Sequence, residues 1–374
     1  MKAIICAGGT GGHIYPALAI LNKIKDQEPN SEILYIGTTT RMEHELIPKL
    51  GIDFVGIDVD GLDRKNIFNN IKVFLKYRRA IKEAKKVIKG FNPDIVVGAG
   101  GYITLPVLIA ANKLGYKTLI HEQNSIPGLS NKIISKYADK ICISLPKSKD
   151  YFRKEKVVYT GNPRSEELIN IEKKSKKEYG FDKNKKLVII VMGSLGSTTM
   201  TKKIKDMIPK FENKDYQVLI ITGKSYFDSY KDNKLPSNVK IVPFLEDFIS
   251  LLKDTDLIIS RAGASTIAEI TAIGLPSILV PSPYVTNNHQ YKNAKELEDI
   301  GAAKLITEEE FNGDIIIKEI SNILDNHNLY ENMKKASSKL GVIDSSTRIY
   351  NEIEKIIKED SNELVKWIKK IKYW

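Results

Sequence analysis

The chain has 374 residues, 42% hydrophobic and 28% charged, the balance of a soluble globular protein with two domains as the natural expectation. A formal charge of +12 suits an anionic partner: nucleic acid, an acidic membrane surface or a phosphorylated substrate. The two cysteines, Cys6 and Cys142, lie far apart in apolar runs, which argues for buried thiols and against disulfides or a zinc site.

The chain opens on a short buried strand, 2–7, followed by GGTGGH (8–13) and a helix opened by Pro16 near its first turn. Glycine is reached after seven residues, so no signal peptide is expected ahead of the fold. No apolar run reaches the roughly 20 residues that span a bilayer. The glycine pairs around Thr10 let backbone approach a ligand closely, which makes Thr10, Gly11 and Gly12 candidate contacts. Their spacing fits neither a dinucleotide fingerprint nor a Walker loop. A strand at 33–36 and a helix around 41–50 follow.

Residues 66–89 read as a helix, with Ile67, Ile71, Phe74, Leu75, Ile81 and Ile88 at helical intervals. Ten Lys or Arg and one acid lie between 64 and 89. That face is either solvated, with the apolar stripe on a sheet, or holds anionic lipid headgroups. A strand at 93–98 ends in GAGGY (98–102), and a helix from about 105 leads to a strand at 117–121 and HEQN (121–124). Strands at 140–144 and 157–159 close the first half at GNPR (161–164). Three loops, GGTGGH, GAGGY and HEQN, thus end strands on one edge of an open parallel sheet, where ligands bind.

After a Lys-rich segment, 173–186, the pattern restarts: KLVIIVMGSLGS (186–197) echoes the chain start. Strands are expected at 187–192, 217–222, 240–242, 257–260, 277–280 and 303–305. The 257–283 stretch reads as strand, glycine turn, helix from about Thr266 and a second strand. Amides at that helix start favour a phosphate, with Arg261 beside it as a bidentate partner. Glu269 is either the N3 member of a capping box with Thr266 or a carboxylate for a ribose diol. From 314 the chain is helical and charged. The tail, 362–374, puts Leu364, Trp367, Ile368, Ile371 and Trp374 on one helical face, either docked on the body or interfacial.

In this order, GGTGGH, GAGGY, HEQN, GNPR, GSLGS, RAGASTIAEI and NNHQYKNA resemble the MurG family of glycosyltransferases across nearly the whole chain except the last dozen or so residues. The resemblance implies an α/β GT-B fold, two Rossmann-like parallel-sheet domains facing a cleft. Residues 1–163 would form the acceptor and membrane-side domain and 164–343 the UDP-sugar domain. The helices of 344–374 would return to the first domain and end in an amphipathic tail. It implies inverting transfer of N-acetylglucosamine from UDP-GlcNAc to the 4-hydroxyl of the muramyl sugar of lipid I, at the cytoplasmic face of the membrane. The partners are then donor, lipid acceptor and an anionic membrane surface, with no nucleic acid, cofactor or metal. A different glycolipid synthase or a UDP-sugar 2-epimerase of similar fold is the alternative.

By the same resemblance Glu269 takes the ribose hydroxyls and backbone near Leu245 the uracil edge. Gly263, Ala264, Ser265 and Thr266 line the phosphates and proximal sugar. Asn124 and Gln290 contact the N-acetylglucosamine hydroxyls, with Asn288 and His289 nearby. Ser194 and Arg164 add donors for the departing diphosphate, without a metal. The acidic pairs Asp58/Asp60 and Asp254/Asp256 are read as solvated or capping carboxylates. His13 is the candidate base, since an imidazole accepts a proton near neutrality, with Glu122 or Tyr102 as rivals or helpers. The other reading of His13 is that it merely orders the turn before Pro16.

Overall fold

The structure, a computed structural model, describes residues 1–61, 69–192 and 198–371, with main chain only for 69–72, 198 and 360–371. The chain divides into two compact units, Met1–Arg164 with Asp344–Trp374, and Ser165–Ile343.

Unit 1 holds a seven-stranded parallel sheet: β1 (Lys2–Cys6), β2 (Glu32–Thr38), β3 (Asp53–Ile57), β4 (Ile95–Gly98), β5 (Lys117–Glu122), β6 (Lys140–Ile143) and β7 (Val157–Tyr159), in the order β3-β2-β1-β4-β5-β6-β7. Ile4 of β1 pairs with Leu34 on one side and Val96 on the other. Unit 2 holds six parallel strands: β8 (Lys186–Val191), β9 (Tyr216–Ile221), β10 (Val239–Val242), β11 (Leu257–Ser260), β12 (Ser277–Leu279) and β13 (Ala303–Leu305), in the order β10-β9-β8-β11-β12-β13. The helices are α1 (Gly11–Gln27), α2 (Met42–Lys49), α3 (Asn69–Phe91), α4 (Thr104–Lys113), α5 (Leu129–Ile134), α6 (Arg164–Glu167), α7 (Thr198–Met207), α8 (Phe248–Leu252), α9 (Ala264–Ile273), α10 (His289–Asp299), α11 (Gly313–Asp325), α12 (His327–Leu340) and α13 (Ser345–Ile371).

Strand periodicity divides the core of unit 1 into two layers. Ala3 and Ile5 of β1 face a cluster with Ile14, Ala17 and Leu21 of α1 and Ile349, Ile353 and Ile356 of α13. Ile4 and Cys6 face the other layer, with Ala80, Ala84 and Ile88 of α3 and Val107 and Ala111 of α4. In unit 2, Val188 and Ile190 pack with Met200 and Ile204 of α7 and Ile316 and Ile320 of α11.

Four expectations need correction. The edge strand β3 was not foreseen: its exposed or half-buried residues, Asp53 to Gly56, give no continuous apolar run. The first helix starts at Gly11, so Gly11, Gly12 and His13 form its first turn and Pro16 lies inside it. Helix α9 likewise starts at Ala264, with Gly263 as N-cap and no side-chain cap, so the Thr266–Glu269 capping box is not formed. In α3 the apolar stripe does not all reach the sheet: Ala80, Ala84 and Ile88 are buried, but Phe74 is 63% and Leu75 49% exposed. The expected helical face of 362–374 concerns side chains outside the described residues.

Candidate functional site

In each sheet the strand order reverses once, between β1 and β4 and between β8 and β11, and the loops leaving those strands flank the place where open α/β sheets bind ligands. In unit 1 these are the turns at 7–10 and 99–103. They interlock through backbone. The Gly8 amide donates to the Gly100 carbonyl at 3.2 Å. Gly101 holds φ at +94°, and a Cβ there would stand 2.3 Å from the Gly8 oxygen, so both conformation and space demand glycine. The partly exposed His13 ring covers Gly100, where a Cβ would come within 2.5 Å of it. His13 Nδ1 lies 3.2 Å from the Gly8 carbonyl. A carbonyl only accepts, so Nδ1 carries the hydrogen and the basic lone pair of the neutral ring is on Nε2. Tyr102, at the end of the second turn, is 51% exposed.

Beneath the first turn lies Glu43 of α2, fully buried, which the sequence reading missed. Its Oε2 accepts from the Gly9 amide at 3.0 Å, and its Oε1 from the amide and hydroxyl of Thr38 at 3.0 and 2.7 Å. A Cβ on Gly8 would stand 2.3 Å from Oε1, so the carboxylate fits only under a glycine.

The third loop follows β5. Glu122 is buried, and burial raises its pKa while donors from Asn124, Asn131 and Gly128 hold it back. Those donors occupy both oxygens: the Asn124 amide at 3.0 Å on Oε1, and Asn131 Nδ2 at 2.8 Å with the Gly128 amide at 3.2 Å on Oε2. The carboxyl thus ties the 124–131 loop together, and this corrects its expected place as a rival base. The loop presents Asn124 half-buried. Gln123 Nε2 donates to the Ala99 carbonyl at 2.8 Å, joining this loop to the glycine turns. Arg164 falls in unit 1, its guanidinium 5.5 Å from the Tyr15 ring centre on α1.

In unit 2 the turn after β11 leads directly into α9. Its first-turn residues Ala264, Ser265 and Thr266 are partly exposed, and no side chain caps their amides. Glu269 follows one turn later, also partly exposed. Arg261 is placed otherwise than expected. It is 9% exposed; Nη2 pairs with Glu308 at 2.7 Å and Nη1 donates to the Val280 carbonyl at 3.1 Å. The fork braces the turn from behind instead of meeting a phosphate. Glu308 also accepts from the Thr199 hydroxyl, so one buried carboxylate joins the start of α7 to the turn after β11. Asn293 of α10, fully buried, donates to the Ala262 carbonyl at 3.2 Å.

Asn288 is exposed with φ +50° as N-cap of α10, and His289 Nδ1 meets the Thr286 carbonyl at 2.9 Å. Gln290 Oε1 accepts from the Ser282 amide at 2.8 Å, which orients its amide nitrogen. Leu245 lies half-buried after β10. Ser194 lies outside the described residues. Both acidic pairs are held by lysines: Lys76 joins Asp58 and Asp60 at 2.9 and 2.7 Å, while Lys173 meets Asp254 and Lys176 meets Asp256 at 2.7 and 2.8 Å. Among the described residues no group of three or more His, Cys, Asp or Glu could hold a metal ion.

Residues 3–143 match the glycosyltransferase family 28 N-terminal domain and residues 187–349 its C-terminal domain. The chain belongs to glycosyltransferase family 28. A relative from Bacillus cytotoxicus is 42% identical over 364 residues, covering 96% of this chain and 100% of its own. It is named UDP-N-acetylglucosamine–N-acetylmuramyl-(pentapeptide) pyrophosphoryl-undecaprenol N-acetylglucosamine transferase. One of the same name from Bacillus pumilus is 43% identical, covering 95% and 99%. The crystal structure of Acinetobacter baumannii MurG matches with a TM-score of 0.79 at 28% identity, over 95% of this chain and 99% of that one. The motif resemblance to the MurG family is borne out, as is the expectation of two parallel-sheet α/β domains of the GT-B class. Within this family 28 chain, Glu43, Glu308 and Asn293 escaped the sequence reading because their partners are backbone groups or residues distant in sequence.

Proposed function

We propose that this chain transfers N-acetylglucosamine from UDP-GlcNAc, with inversion, to the 4-hydroxyl of the muramyl sugar of undecaprenyl-pyrophosphoryl-MurNAc-pentapeptide. The observation that carries this reading is the 42% identity, over nearly the full length of both chains, to a relative named for that transfer. Unit 2 binds the donor. The uncapped amides of Ala264, Ser265 and Thr266 and the positive end of the α9 dipole meet the diphosphate, and Glu269 takes the ribose hydroxyls. Leu245 backbone serves the uracil edge, and Asn124, Asn288 and Gln290 serve the sugar. Unit 1 serves the acceptor. As the acceptor oxygen attacks the anomeric carbon, His13 Nε2 takes its proton, and the bond to the diphosphate breaks with its electron pair leaving on UDP. Thr10, Gly11 and Gly12 border the reacting group, Tyr102 flanks it, and Arg164 and Ser194 add donors to the leaving group.

The exposed Phe74 and Leu75 on basic α3 support peripheral attachment to an anionic membrane at its cytoplasmic face. Among the described residues no helix is long and apolar enough to cross a membrane. The decisive experiment measures UDP release from UDP-GlcNAc with and without the lipid acceptor. Release that needs the acceptor supports the transferase; release without it points to an epimerase, and indifference to this lipid points to another glycolipid synthase. In the same assay His13→Ala should cut turnover about 100-fold or more while UDP binding stays near that of the parent chain. Loss of donor binding instead removes His13 from the role of base.

A further inference from the structure

The bonds made by Glu43 and His13 meet on one peptide group. Oε2 of Glu43 accepts from the Gly9 N–H at 3.0 Å, and the carbonyl of that same peptide, Gly8 C=O, lies 3.2 Å from His13 Nδ1. The order is carboxylate, peptide N–H, peptide C=O, imidazole N–H. A peptide polarised by an anion at its N–H end has a more negative oxygen, and that oxygen binds Nδ1–H more strongly. The carboxylate is fully buried, so its field is weakly screened. Its charge is felt nearby. Burial first, and then Glu43's negative charge, push the Cys6 thiol well above its ordinary value, and burial, Cys6 and Glu43 together push up the Tyr35 phenol.

We propose that Glu43 is a positioning residue for His13: through the single Gly8–Gly9 peptide it fixes the Nδ1–H tautomer and steadies the positive charge that His13 acquires. This rests on the reading of His13 as the base. When Nε2 takes the acceptor proton the ring becomes an imidazolium, and the relay puts a negative charge on its far side without moving a second proton. The proton later leaves Nε2 for solvent. It is the service a carboxylate performs for histidine in hydrolytic triads, with a peptide group interposed. A direct bond is ruled out by the same turn, because the Gly8–Gly9 peptide stands between the two side chains. Other titratable or charged groups on elements packed around the relay are Cys6 on β1, Tyr35 on β2, Tyr102 on the interlocked turn, and Tyr15 with Arg164 stacked on it.

The test is a double-mutant cycle on the full chain with UDP-GlcNAc and the lipid acceptor, using Glu43→Gln, His13→Ala and both together. Glu43→Gln alone should lower kcat by about ten- to a hundredfold, a share of what a positioned base contributes, with KM for UDP-GlcNAc unchanged. The acid limb of its pH profile should move to lower pH, because the imidazolium has lost its counter-charge. In the His13→Ala background the same substitution should cost less than about threefold, since there is no imidazole left to serve. Losses that multiply, or an unmoved acid limb, overturn the proposal and leave Glu43 as a loop support. If His13→Ala alone retains full turnover, the base itself has been misassigned, and that arm reports it separately. Should Glu43→Gln fail to fold, Glu43→Asp, which keeps the charge but shortens the reach, takes its place in the cycle. A loss that disappears in the His13→Ala background then supports the relay, and a loss that persists there overturns it.

Discussion

His121 is fully buried at the end of β5, with Nε2 3.1 Å from the Gly161 carbonyl and Nδ1 3.0 Å from Gln123 Nε2. The carbonyl requires a hydrogen on Nε2 and the amide nitrogen a lone pair on Nδ1, so the neutral ring satisfies both. Burial pushes its pKa down to about 4, against the opposing pull of the Gly161 carbonyl. In the unfolded chain the ring takes its proton near ~6.5, so below that pH the unfolded state gains a proton that the folded state refuses. Stability should hold above about pH 6.5 and fall as pH drops toward about 4, by up to about 3 kcal/mol from this group. Urea unfolding at about pH 7 and about pH 5 measures it, and His121→Gln should flatten the difference. Arg261 and Glu308 pose the same question for a pair. Arg261→Ala would strand a carboxylate that is 8% exposed, costing about 3–5 kcal/mol, whereas replacing both partners by apolar residues should cost much less; thermal melts distinguish them. Sequence told little at this scale. RAGAS announces an anion site, but nothing in it says that the arginine turns inward to a glutamate 47 positions on.

At the scale of elements, what was misjudged were helix starts. The first turns of α1 (Gly11, Gly12) and α9 (Ser265, Thr266 after Ala264) hold residues that propensity places in a loop, since glycine, serine and threonine are weaker helix formers than alanine. A glycine at or before the first turn leaves amides uncapped and space before them, an arrangement that favours an anion. Gly263 makes this testable: φ is −70°, and a Cβ there would meet only Thr266 Oγ1, at 3.8 Å. Gly263→Asp should therefore cap α9 and leave the melting temperature unchanged or slightly higher, by at most a few tenths of a kcal/mol. On the proposed donor site the same carboxylate would stand where the diphosphate binds, so UDP affinity should fall at least about tenfold by calorimetry. An equal loss of both would mean the turn is structural. The strands were legible wherever burial on both faces produces an apolar run, as in Leu187–Val191 or Leu257–Ser260. Edge strand β3, half-buried and interrupted by Gly56, was not.

Over the whole molecule, the repeat of strand, glycine turn and helix was enough to reveal two parallel sheets, because each repeat must bury its strand between helix layers. What the pattern could not disclose is which helices complete which layer. Ile349, Ile353 and Ile356 of α13 close the core layer beside α1, and Tyr350 Oη donates to Glu28 at 3.0 Å. Ile353→Ala should cost about 2–5 kcal/mol, read as a lower melting temperature of unit 1. Removing 362–374 should leave that core intact, so any loss of vesicle flotation would belong to the tail itself.

Because α13 completes a layer begun by β1, residues 1–164 depend on a helix that lies beyond the whole of unit 2 in sequence. On the ribosome, the 165–343 segment emerges with every strand it needs and can fold at once. The earlier segment waits with a bare apolar flank until α13 is translated. A premature stop after residue 343 would release a polypeptide finished in the middle and open at the front, a substrate for chaperones and proteases.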